Sequence, residues 1–150
     1  MGAASRPFSE HKRKPGERIG LNWRITTTVG KRAIRHVLFD TNFWKSFVHA
    51  RLVVSQGDPG CLSLFESIPE QHRLLAEHLT AEYRIRTEGR GRTVDEWKIR
   101  PEQSDNHWLD CLVGCAVAAA AQGCVLFGTE APEAPRKKIS LSRIQKRTKK

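Results

Sequence analysis

The sequence has no Cys-x-x-Cys pair, no His/Cys grouping at metal-ligand spacing and no Gly-x-x-x-x-Gly-Lys-Ser/Thr loop. The first two absences leave its four cysteines, Cys61, Cys111, Cys115 and Cys124, without a zinc or redox signature. The third removes the phosphate cradle of a P-loop, so no ATP site is expected in this chain. No apolar run reaches the roughly 18 residues that a membrane span needs; the longest is Ala-rich and broken by Gly114 and Gln122. The first residues are polar and basic with no apolar h-region, so no secretory signal is expected. The cysteines are accordingly expected as thiols in a reducing compartment, with Cys111 and Cys115, one helical turn apart, as small buried hydrophobes. Nothing follows Ser-His-Asp logic, and no internal repeat is present.

Charge is abundant but uneven. Residues 1–35 carry nine Lys/Arg against two Asp/Glu, and residues 129–150 carry eight against two, whereas residues 36–128 carry nine against twelve. The net +10 of the 150 residues therefore belongs to the ends, and the middle has the balance of an ordinary folded domain. Basic ends suit a polyanion, held by counterion release, or are solvated tails with no partner; composition leaves both open. The expected organisation is a basic arm or loop over residues 1–22, a folded region over 23–128, and a disordered basic tail over 129–150.

Within the middle, Leu21 to Val29 alternates and is β-rich, which predicts a strand. Arg35 to Phe39 predicts a buried strand, ended by Asp40-Thr41-Asn42 and followed by a helix over 43–52 with Phe43, Phe47, Ala50 and Val54 on one face. Gly57-Asp58-Pro59-Gly60 is a turn, and Cys61 to Phe65 predicts a second buried strand. Pro69 opens a helix running to about Tyr83. Tyr83–Thr87 and Thr93–Arg100 predict a hairpin whose tip is Glu88-Gly89-Arg90-Gly91-Arg92. A last helix starts from Ser104 or Asp105 as N-cap, carries Trp108, Leu109, Leu112, Cys115, Ala116 and Ala119 as a buried stripe, and stops at Gly123. Short strands alternating with helices argue for the α/β class.

Asp110 sits in the first turns of that apolar helix, where an ionised carboxylate is costly unless it is paired, hydrogen-bonded or bound to a metal. Magnesium, a hard cation, takes oxygen ligands from clustered carboxylates, and two such ions can activate water against a phosphodiester; one Asp alone does not make that site. Asp40 stands at a strand end, where α/β folds place their sites, yet Asp-Thr-Asn before a helix is also what an N-cap looks like. Glu82, at the end of an amphipathic helix, reads as a further site acid or as a solvent-exposed one. His107, three residues before Asp110, could orient it. Lys45, Arg90 and Arg92 are candidates for phosphate contact.

Several segments in order carry a family resemblance: Asp40-Thr41-Asn42-Phe43-Trp44-Lys45-Ser46-Phe47, Arg51-Leu52, Gly60-Cys61-Leu62-Ser63-Leu64-Phe65, His78-Leu79-Thr80-Ala81-Glu82, the Gly-Arg loop before Glu96-Trp97, and above all Asp105-Asn106-His107-Trp108-Leu109-Asp110-Cys111. Together they resemble the end of the bacteriophage terminase large subunit of the GpA type. The resemblance implies a partial RNase H-like fold, a mixed sheet with flanking helices, from a nuclease that cuts concatemeric DNA during packaging. It implies Mg²⁺ or Mn²⁺ held by acidic residues, the last of which matches Asp110, as catalytic residue and metal ligand, with Asn106 and His107 supporting it. It implies double-stranded DNA as partner, for which Lys45, Arg90 and Arg92 are the candidate contacts named above, together with the N-terminal part of the terminase and a small terminase subunit, in the bacterial host cytoplasm and with no membrane. The ATPase and the early strands that bear the family's other carboxylates have no counterpart here, so the expectation is a fragment, catalytically incomplete alone. A second resemblance runs from His36-Val37-Leu38-Phe39-Asp40-Thr41-Asn42 to PIN-domain ribonucleases, which would share Mg²⁺ among Asp40, Glu82 and Asp110. Trp44-Lys45, the Gly-Arg hairpin and Asn106-His107-Trp108 have no place in that pattern.

Overall fold

The structure is a computed structural model that describes residues 11–27, 34–89, 92–103 and 105–127. In chain order its elements are β1 (Arg18–Gly20), β2 (Trp23–Ile25), β3 (Val37–Phe39), α1 (Thr41–Leu52), α2 (Pro69–Leu79), β4 (Glu82–Gly89), β5 (Arg92–Ile99) and α3 (His107–Ala121). The α/β class is as expected, but the strands form two separate antiparallel sheets, β1-β2-β3 and β4-β5, rather than one mixed sheet. The tail over 129–150, Ser104 and Arg90 lie outside the described residues.

β1 falls inside the stretch read as an arm or loop. Three residues are too few to show alternation, and they are fixed by pairing with β2, Gly20 opposite Trp23 and Arg18 opposite Ile25. Gly20 is needed there because a Cβ would run into the Trp23 indole. β3 forms, but as an exposed edge rather than a buried strand, with Val37 and Leu38 more than a third open. No strand forms over Cys61–Phe65; these residues run as an irregular segment with Phe65 exposed. Their apolar character serves local contacts instead, such as the Phe65 ring edge-on to His72 at 4.7 Å.

α1 is the element to which both sheets attach. Asp40 caps it, its Oδ1 accepting from the Phe43 N–H at 3.1 Å, which satisfies one of the orphan donors of the first turn. The buried face is turned about one residue from the expected one: Trp44, Lys45 and Val48 face inward, with Phe43 and Phe47 flanking Trp44 edge-on at 5.4 Å. Trp44 is wholly buried, and its indole N–H donates to the Asn22 carbonyl, the same oxygen that accepts from the Asp40 N–H. The three-stranded sheet is thereby pinned to the start of α1. On the other side, the Trp97 backbone N–H donates to Asn42 Oδ1 at 3.0 Å and its indole N–H to Ser46 Oγ at 2.9 Å, which pins the β4–β5 hairpin to the same helix.

α3 closes the core. Its buried residues are Leu109, Val113, Val117 and Ala121, a four-residue spacing, with Leu112, Ala116 and Ala120 at the flank. This corrects the expected stripe: Trp108 is 41% exposed, and Cys111 and Cys115 lie on the outer face with exposed thiols. Ala and Cys are similar enough in polarity that the pattern did not select between adjacent faces. Asn106, not Ser104 or Asp105, occupies the N-cap position. Gly123 ends the helix as expected, at φ +88°, with Cys124 N–H donating to the Ala119 carbonyl and Gly123 N–H to that of Ala120, the paired bonds of a Schellman stop. Arg18 reaches the same end and donates to the Ala121 carbonyl, a favourable place for a cation.

Because Trp44 fills the centre of this core and carries one of the two bonds to Asn22, Trp44→Ala is expected to lower unfolding free energy by about 3–5 kcal/mol, measured by urea denaturation.

Candidate functional site

The two acids that sequence left unexplained on the core side, Glu82 and Asp110, are brought to one point by Lys45. Lys45 sits between Trp44 and Val48 on the buried face of α1, and its side chain is 8% exposed. An ammonium taken so far from water needs compensating charge. Its Nζ donates to Glu82 Oε1 and lies 3.1 Å from Asp110 Oδ1. Glu82 opens β4, directly after Ala81, which is completely buried. α2 stops at Leu79 rather than near Tyr83, with Thr80 as cap. Glu82 is therefore a strand residue, 6% exposed, and neither helical nor solvent-facing as one reading had it. Arg100 fixes this point of the chain, its N–H donating to the Ala81 carbonyl at 2.8 Å and its Nε to that of Thr80 at 3.0 Å.

Asp110 approaches from the first turn of α3, where a negative charge also suits the helix dipole. Its carboxylate is 51% exposed. The cost expected of an acid in an apolar helix is thus met in two ways, by the Lys45 ammonium and by water. Asn106 does not bond Asp110 through its side chain; its Nδ2 donates to Glu82 Oε1, and its backbone carbonyl accepts from the Asp110 N–H. His107 is turned away from Asp110, its Nε2 lying 3.7 Å from Asp105 Oδ1. Lys45, expected at a phosphate, is occupied by the carboxylates. Arg92 opens β5 opposite Gly89, and Asp40 serves as the cap described above. Among the described residues no group of three His, Cys, Asp or Glu side chains could hold a metal ion.

A second titratable group borders the cluster. His49 stacks on the Trp97 ring at 4.3 Å, and among the described residues its Nε2 has no hydrogen-bond partner. Burial pushes its pKa below the ordinary 6.5; the nearby Glu82 charge and a bond to the Leu79 backbone work against that, while Arg84 and Lys45 add to it.

The family model described as the terminase large subunit gpA endonuclease domain matches residues 22–128. The chain belongs to that family. The matched span runs from the turn before β2 to the residue after Phe127 and so contains every member of the Lys45–Glu82–Asn106–Asp110 cluster of this terminase endonuclease domain. No curated protein and no solved structure matches the chain. No helix among the described residues of the terminase domain is long and apolar enough to cross a membrane.

Glu82 and Lys45 are both candidates in the sequence, but their burial and pairing with each other are not foreseen there. The available signal was a lysine flanked by Trp44 and standing three residues before Val48, inside a stripe otherwise apolar. Removing the ammonium leaves Glu82 buried with only Asn106, so Lys45→Met is expected to destabilise the domain by about 3–5 kcal/mol. Asp110→Ala breaks a half-exposed pair and is expected to change stability by about 0–1 kcal/mol; thermal unfolding of the two variants side by side checks the contrast.

His49 links folding stability to pH. The unfolded chain takes up the proton near 6.5, whereas the folded chain resists it until lower pH. Folding stability is therefore full above about 6.5 and falls as pH drops through that value. Unfolding temperatures measured from pH 7.5 down to 5 are expected to fall less steeply in His49→Gln than in the unchanged protein.

Proposed function

We propose that Glu82 and Asp110 are cation-binding carboxylates of the terminase nuclease centre, that Asp110 is its catalytic acid, and that the surrounding elements form part of an RNase H-like fold. The observation that carries this reading is the convergence of both carboxylates on one ammonium in a chain of the gpA endonuclease family. The donor chemistry fits a hard divalent cation: two carboxylates within reach of a common point, one of them half open to the water that Mg²⁺ keeps in its shell. Glu82 and Asp110 would hold Mg²⁺ or Mn²⁺, and such an ion, when bound, supplies Lewis-acid activation of water and phosphodiester.

The chain's own residues then divide the remaining work. Asn106 holds Glu82 by its amide while presenting Asp110 through the backbone, so one residue sets the spacing of both acids. His107 belongs with Asp105 at the rim. Double-stranded DNA is the substrate that the reading assigns, with Arg90 and Arg92 at its backbone; the small terminase subunit and an ATPase-bearing part are the partners it implies. The reading includes the further claim that this chain does not complete the centre alone.

The checking experiment has two parts. Mn²⁺ titrated into the purified chain and followed by electron paramagnetic resonance should show binding that Glu82→Gln combined with Asp110→Ala removes. The isolated chain with Mg²⁺ or Mn²⁺ should leave double-stranded DNA uncut. Absence of Mn²⁺ binding would overturn the metal-centre reading, and DNA cleavage lost in Asp110→Ala would overturn the claim of incompleteness.

A further inference from the structure

We infer that Lys45 is a built-in counter-ion of the carboxylate pair, a positioning residue that must withdraw before a divalent cation enters and that therefore sets the cation affinity of the site. The inference rests on the reading of Glu82 and Asp110 given above and adds a role for a residue that reading does not use. Nothing about an ordinary stabilising ion pair requires it to close onto two carboxylates from different elements, one of them half open to water. Yet the Lys45 Nζ touches Glu82 on β4 and Asp110 on α3 together. It stands where a cation shared by these two acids would stand.

The physical conflict is direct. Two carboxylates this close repel each other, and the ammonium offsets that repulsion when no metal is present. A dication placed between the same oxygens would face the ammonium at contact distance, and like charges at a few ångströms in a partly dry site repel by much more than thermal energy. Ammonium and dication are thus alternative occupants. The lysine can yield, because its four-carbon stem is flexible and the Asp110 side of the cluster is open. Glu82 does not collapse when it does, since the Asn106 amide still holds the same carboxylate. The arrangement keeps both acids close and their charge half offset until a cation takes over the lysine's place.

The test uses the full chain and reads lysine reactivity rather than cleavage. Acetylation by an N-hydroxysuccinimide ester, quantified by peptide mass spectrometry, is run with and without Mn²⁺. Lys98, with a side chain 54% exposed, is the internal reference. Lys45 should react slowly without the cation and about tenfold faster at saturating Mn²⁺, with Lys98 unchanged. In parallel, Lys45→Gln, which keeps a hydrogen-bond donor for Glu82, should bind Mn²⁺ about tenfold more tightly than the unchanged chain. Mn²⁺ binding that depends on Asp110 but leaves Lys45 as protected as before overturns the inference and leaves the metal-centre reading standing. The reactivity arm needs no variant to fold. Failure of Mn²⁺ to bind at all overturns both.

Discussion

The Lys45–Glu82 pair constrains this domain more than any other single contact. A charged lysine lies on the same buried helix face as Trp44, so the core cannot close until a partner for that charge has been delivered. The partner comes from the first residue of β4. That fixes where α2 must stop, where the hairpin must begin, and which way the hairpin faces α1. The bonds from Trp97 to Asn42 and Ser46 follow from the same placement, as does the stacking of His49 on the Trp97 ring. Asp110 joins from α3, so the pair ties three elements that sequence separates by up to 65 positions.

Much of the architecture can be read from the chain because local chemistry decides it. Asp40 before a helical run, Pro69 at a first turn and Gly123 at a last one act through backbone geometry and need no tertiary partner. The hairpin over residues 82–99 is legible for the same reason, as a β-rich alternation around a Gly-Arg loop. The faces of α1 and α3 are not. In α1, apolar residues at 43, 44, 47 and 48 offer two adjacent faces, and the choice between them falls to Asn22 and Glu82, far away in sequence. In α3, a run of Ala, Val and Cys is so evenly apolar that spacing alone cannot orient it. The strand expected at Cys61–Phe65 does not form because an apolar run makes no ladder unless a neighbouring strand pairs with it, and among the described residues none does.

The site divides in the same manner. Asp110 is conspicuous because it is an acid in an apolar helix. Asn106 is near it in sequence and is indeed part of the cluster, but through Glu82 rather than through Asp110. Glu82 and Lys45 look like surface residues in any local window, since burying both is reasonable only when each is seen to answer the other. Charge pairing across 37 positions leaves no periodic trace.

The hairpin attachment has a mechanical side. Among the described residues, its side-chain hydrogen bonds to α1 are made by Trp97 and by Glu82, both at the Glu82 end of the ladder, while the strands continue to Gly89 and Arg92. The hairpin is thus a cantilever with Glu82 beside its fulcrum. A load applied near Gly89 is carried along the strands as torque and arrives, over a short arm, at the carboxylate that Lys45 and Asn106 hold.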